Sequence, residues 1–101
     1  MIRVSQAAKV TLKLLLEALV EERVETDPGF NRSKQDIGLR LFLSPSQNIT
    51  FGLDHIRPGD EVVQFEGANV LLVDKEMSRV LAGSRLDCVD TPAGPRLTVS
   101  R

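Results

Sequence analysis

Apolar residues recur at helical spacing near the start of the chain and at alternating positions later. Ala8, Leu12, Leu15, Leu16 and Leu19 fall three or four apart behind Ser5, a suitable N-cap, and predict a helix from about Gln6 to Glu22. Lys9, Lys13, Glu17 and Glu21 form its polar row, with Lys13 and Glu17 spaced as an i,i+4 pair. Val10 and Leu14 widen the apolar arc, which predicts a helix covered on more than one side. Its Leu cluster reads as core packing rather than as a face for a partner.

Thr26 to Asp36 is polar, with Asp27-Pro28-Gly29 as punctuation, and reads as a loop. The pattern leaves open whether Phe30 within it is pinned to the core or exposed. Ile37, Leu39, Leu41 and Leu43 then alternate with Gly38, Arg40 and Phe42, a strand with one strongly apolar face. Ser44-Pro45-Ser46-Gln47-Asn48 breaks it. Ile49 to Ile56 follows as a second strand, with Ile49, Phe51 and Leu53 on one face. Arg57-Pro58-Gly59-Asp60 puts Pro and Gly at the centre of a type II turn, and Glu61 to Phe65 returns as a third strand. Glu66 to Asn69 turns the chain again.

The best-signalled stretch is Asn69 to Asp90. The unbroken apolar run Val70 to Val73 predicts a buried strand, and Asp74 ends it as the cap of a short helix. Glu76 suits the positive end of that helix, while Met77, Val80 and Leu81 give it one apolar face. Gly83 sits where a left-handed residue would close the helix. Arg85 to Val89 reads as the returning strand, Thr91 to Pro95 as a loop, and Leu97 with Val99 as a last, edge strand over Arg96 to Ser100. The pattern predicts a mainly β fold with flanking helices (α+β). It would be a compact sandwich or barrel packed by the N-terminal helix and by a short helix after a central strand. Strands joined by tight turns are expected to pair antiparallel.

Composition narrows the function classes. At 101 residues the expectation is a single domain over residues 1–101, and a chain with four Phe and no Trp or Tyr implies an aliphatic core. Thirteen basic against fourteen acidic side chains, spread along the chain, argue against nucleic acid as a partner. No apolar run is long enough for a membrane span and the N-terminus has no signal-peptide core, so no membrane partner and a cytoplasmic location are expected. The lone cysteine, Cys88, excludes an internal disulfide and a one-chain zinc site built on paired thiolates.

The residues also resemble a known family. Val73-Asp74, Ser78, Leu81, Gly83 and Leu86-Asp87 are similar to a signature segment of the HesB/IscA-like domain of A-type iron–sulfur cluster carriers. Val4-Ser5-Gln6-Ala7-Ala8 is similar to its helix start, Gly38-Leu39-Arg40-Leu41 to the strand before its first ligand loop, and Gly67-Ala68-Asn69-Val70 to the turn into its central strand. The resemblance covers nearly the whole chain and implies the family's β-sandwich with flanking helices. Its ligands do not carry over. The family holds iron or a cluster through one cysteine in a Gly-Cys-Ser-Gly-type loop and two in a Cys-Gly-Cys tail. Here the loop region is Ser44 to Asn48, without cysteine, and the chain stops at Arg101 soon after the closing strand. Ser46 and Asn48 are poor substitutes for soft thiolates.

Cys88 shares a face with Leu86, and the simpler reading is a core cysteine. The other reading sets two copies of Cys88 at a dimer axis around a metal, with His55 as a companion ligand. Asp74 beside Ser78 is explained by capping, and Asp54, Asp60 and Glu61 read as a solvated hairpin end. Phosphate loops, zinc-hydrolase helices and nucleophile elbows are absent from the sequence, and no enzyme activity is expected. The expectation is a divergent iron–sulfur-assembly-type protein that has lost cluster ligation and serves as a non-catalytic binding or structural module, with no cofactor. Its partners would be itself or iron–sulfur assembly proteins. The alternative is iron or a cluster bound across a homodimer through Cys88 with help from His55.

Overall fold

The structure is a computed structural model and describes residues 2–27, 29, 36–44 and 48–100. Phe30 and Ser46 lie outside them. Among these residues seven strands and two helices follow one another as β1 (Arg3–Val4), α1 (Gln6–Thr26), β2 (Ile37–Leu43), β3 (Ile49–His55), β4 (Glu61–Phe65), β5 (Ala68–Val73), α2 (Lys75–Val80), β6 (Arg85–Thr91) and β7 (Gly94–Ser100). The mainly β architecture with an N-terminal helix and a short helix after a central strand is the one expected from the pattern.

The strands form two sheets, one of order β1-β6-β7 and one of order β3-β2-β5-β4. Strands joined by short turns pair antiparallel, as expected for β2–β3, β4–β5 and β6–β7. Two further pairings, between strands that no tight turn joins, are parallel. β2 lies parallel to β5, and the two-residue β1 lies parallel to β6. The first follows from β3 and β4 taking the two edges of the larger sheet, which leaves β2 and β5 as neighbours in its middle. The second follows from Arg3 and Ser5, whose amides donate to the Ser84 and Leu86 carbonyls at 2.9 and 3.0 Å.

α1 begins where Ser5 predicts, since its Oγ accepts from the Ala8 amide at 3.1 Å. It runs on to Thr26, four residues past the predicted Glu22, because Arg23 and Thr26 carry the backbone ladder through a polar end that periodicity does not see. The helix touches strands of both sheets. Its Ala8, Leu12 and Leu16 join Leu39, Leu41, Val70, Leu71, Val73, Leu81 and Leu86 in one buried cluster. Only that face is covered. Val10 and Leu14 are 44% and 62% exposed, so the second covered side expected for them is not found. Lys13 likewise bonds Glu66 of the β4–β5 turn at 2.9 Å rather than Glu17, which brings it across to the sheet.

The turn signals held. Gly59 has φ +88°, with the Asp60 amide bonded back to the Arg57 carbonyl at 3.1 Å. Glu66 and Gly67, at φ +51° and +80°, close a two-residue hairpin, so Ala68 and Asn69 already belong to β5. β6 and β7 reach Thr91 and Gly94, which shortens the predicted loop to Pro92 and Ala93. Asp74 caps α2 by accepting the Met77 amide at 2.7 Å, and Gly83 follows that helix at φ +81°. Among the described residues no helix is long and apolar enough to cross a membrane.

Candidate functional site

Residues from both sheets line a cleft. β3 and β7 are edge strands of their sheets, and this cleft of about 420 Å³ lies between them, β2 and the end of α2. Its apolar wall is Leu43, Ile49, Val80, Leu81, Leu97 and Val99. Val80 was expected on the apolar face of α2 with Met77 and Leu81; those two pack on the core, whereas Val80 is 52% exposed and lines this opening. The polar lining is Asn48, Ser84, Arg96, Thr98 and Ser100, so Arg96 is its single charged side chain among the described residues.

Ser84 is the unusual member. Gly83 reverses the chain after α2 and delivers Ser84 inward, where its amide donates to Leu81 O at 2.8 Å and its carbonyl receives Arg3 N. The residue is 1% exposed, and its Oγ has no hydrogen-bond partner among the described residues. Buried hydroxyls are usually satisfied, so an orphan in a cleft wall marks a place for an acceptor. Periodicity gave no sign of it, because a serine after a glycine reads as loop.

The cleft occupies a telling position. Leu43 and Asn48 flank the region similar to the family's first ligand loop, and Thr98 to Ser100 end the strand similar to its closing strand. The two ends of that region and the end of the closing strand therefore line one cleft. What they bring together here is aliphatic, hydroxyl, amide and guanidinium groups.

Cys88 stands elsewhere. It is half-buried on the core face of β6 beneath α1, with Thr11 Oγ1 3.2 Å from its Sγ. Its place beside Leu86 on one face is as the alternation implied. Its amide donates to Asp87 Oδ1, which also receives the Ser5 hydroxyl at 2.6 Å. These two bonds hold the Asp87 carboxyl below the usual carboxylate range, the Ser5 hydroxyl contributing most. His55 ends β3 in the other sheet, exposed, with Nδ1 3.4 Å from an Asp36 oxygen. Within one chain the two residues thus lie on different sheets. Among the described residues no group of three or more His, Cys, Asp or Glu is placed to hold a metal ion.

The acidic cluster read as a solvated hairpin end is instead a buried network. Arg40, 2% exposed in the interior strand β2, donates Nε to Asp54 at 2.6 Å and Nη2 to the His55 carbonyl at 3.1 Å. The same guanidinium takes both oxygens of Asp60, at 3.0 and 2.7 Å. Arg57 adds its amide to Asp60 and its guanidinium to Asp54. Arg40 is raised by these partners, the Asp60 hydrogen bonds first. Asp60 is held low chiefly by Arg40. Burial would raise Asp54, but the His55 amide and the two arginines outweigh it and hold it low. Glu61 is drawn in another direction, with Oε1 accepting from Ser78 Oγ at 2.9 Å and Oε2 buried without a partner among the described residues. With two arginines set against two aspartates, the Arg40 network is a fastening of the hairpin rather than a reactive site.

No protein-family model matches the sequence, and a search of the curated proteins returns no match. Solved structures do. Escherichia coli SufA, involved in biosynthesis of iron–sulfur clusters, aligns with a TM-score of 0.62 at 15% identity, over 99% of this chain and 84% of its own. IscA, solved with a [2Fe-2S] cluster, aligns with a TM-score of 0.53 at 17% identity, over 100% of this chain and 85% of its own. A protein from Aquifex aeolicus, solved in solution by NMR, gives 0.50 at 18% identity, over 99% and 90%. The chain has the fold of SufA and IscA, the HesB-like fold implied by the resemblance.

Proposed function

We propose that this chain is a divergent relative of the HesB/IscA-type iron–sulfur carriers that has lost cluster ligation and acts as a non-catalytic binding module. One observation carries the reading. The segments that correspond to the ligand loop and the closing strand meet at a cleft whose described side chains include no thiol, while the single cysteine lies under α1. Thiolates are the usual anchors of such clusters, and hydroxyl, amide and guanidinium groups do not replace them. What persists at that position is an apolar cleft with polar donors, which suits recognition of a molecule rather than of a metal. In this reading the partners are a second copy of the chain or components of iron–sulfur assembly.

Anaerobic reconstitution with ferrous iron and sulfide is the test. The protein should emerge colourless after desalting, with iron below one tenth of an equivalent (about a background level). A stoichiometric cluster with its visible absorption would overturn the loss of ligation. The partial opening of Cys88 motivates a second reading, a metal or cluster held between two copies by Cys88 with His55 in support. That reading requires bound iron in the wild type and its loss in Cys88→Ala.

A further inference from the structure

We propose that the cleft between β3 and β7 binds a small amphipathic carboxylate, its aliphatic chain on the apolar wall and its carboxylate met by Arg96 and the Ser84 hydroxyl. The inference rests on reading this cleft as a binding site, and is independent of whether the chain descends from cluster carriers.

Three features select the ligand class. The wall formed by Leu43, Ile49, Leu81, Leu97 and Val99 offers hydrocarbon contact, in a volume of about 420 Å³ that falls within the span of small-molecule sites. Arg96 is the one charged side chain in the lining, and its guanidinium has no carboxylate partner among the described residues. Ser84, 1% exposed, carries a hydroxyl with no acceptor. An acceptor-only group that also bears negative charge satisfies both, and a carboxylate matches the planar fork of arginine.

Competing chemistries fit less well. A cation finds no acidic side chain in the wall among the described residues. A neutral hydrocarbon leaves Ser84 and Arg96 as they are. A phosphate dianion asks for more donors than one guanidinium and a few hydroxyls, and gains nothing from the aliphatic wall. A monoanion with a short chain uses every feature.

Octanoate is the probe, followed by two-dimensional amide NMR of the full chain, with octylamine and octanol as controls. Saturable shifts are expected at Ser84, Leu97 and Thr98, with octylamine binding at least about tenfold more weakly. Arg96→Gln, a change at an exposed position, should weaken octanoate about tenfold, and Ser84→Ala roughly threefold, with the amides of the 57–60 turn unmoved. If Ser84→Ala fails to fold, Arg96→Gln decides alone. Absence of saturable shifts at millimolar octanoate, equal binding of octylamine, or unchanged affinity in Arg96→Gln would overturn the proposal. Iron–sulfide reconstitution is scored separately. A coloured cluster in a protein that binds octanoate removes only the loss of ligation, and a colourless protein that ignores octanoate removes only this inference.

Discussion

Arg40 and Asp60 meet as a two-pronged ion pair, Nη1 to Oδ1 at 3.0 Å and Nη2 to Oδ2 at 2.7 Å, with side chains only 3% and 2% exposed. Removing one partner leaves the other charged and withdrawn from water, at a cost of about 3–5 kcal/mol. That is a large share of the roughly 5–15 kcal/mol that holds a typical domain folded. Asp60→Ala and Arg40→Met should each lower the urea midpoint strongly, and the double variant should lose much less than the sum. A cycle additive to within about 0.5 kcal/mol would show that the pair does not couple.

The same network sets an acid limit. Asp60, held low first by its bonds to Arg40, and Asp54, held low against the opposing effect of burial, both have depressed folded-state values. A depressed carboxyl contributes stability above its unfolded value, about 3.9, and loses it as pH falls through the folded value. Urea midpoints should therefore stay level from neutral pH to about 5 and drop below about 4. Asp60→Asn should be less stable at neutral pH, and its deficit should shrink in acid. A deficit that widens with acidification would contradict the assigned sign.

Much of this fold was legible because local chemistry and global fold agree. Ser5, Gly59, Asp74 and Gly83 each announce a cap or turn by residue type alone, and each does in the structure what its type requires. Arg40 was not legible. Alternation puts it on the polar face of a strand, and nothing local says that β2 is interior to its sheet or that Asp54 and Asp60 will fold over it. Such burial is a property of the parallel β2–β5 pairing, which is non-local. The cleft escaped notice for the same reason, since Leu43, Ser84 and Arg96 come from three separate stretches of chain. Cys88 shows the reverse case, where one residue's face was readable and its surroundings were not.

Gly38 tests that non-local pairing. A Cβ built there would come within 2.6 Å of the Asn69 carbonyl oxygen and 3.0 Å of Leu72 Cγ. The close contact is to backbone of β5, at the point where the β2–β5 register shifts, so no side chain can simply swing away. Gly38→Ala should cost about 1–3 kcal/mol through forced separation of the two central strands. Gly52→Ala is the control, because its Cβ would meet only Phe42 at 3.4 Å. Equal urea midpoints for the two variants would refute the close-approach argument.

Ser5 joins α1 to the smaller sheet by two bonds through one oxygen, donating to Asp87 and accepting from Ala8. Ser5→Ala should lose the helix cap, about 1 kcal/mol. The Asp87 carboxyl should move up toward its ordinary value, because its largest stabilising partner is gone. Carboxyl titration by NMR reads the second effect independently of stability. An Asp87 titration unchanged in Ser5→Ala would assign its depression to the Cys88 amide instead.

Cys88 decides between the two readings of function by its accessibility. Its thiol is half-buried against the core with Thr11 Oγ1 at 3.2 Å, so α1 and the core hinder a bulky disulfide reagent on the approach to it. Native labelling should be at least about tenfold slower than labelling in urea, since the packed surroundings restrict approach to the sulfur. Mild oxidation should yield no disulfide-linked dimer, because the thiol of one copy faces its own helix. Thr11→Ala, which removes the hydroxyl over the sulfur, should speed native labelling without matching the unfolded rate. Rapid labelling together with efficient cross-linking would place Cys88 at a contact between copies, and would turn the argument toward a metal shared across that contact.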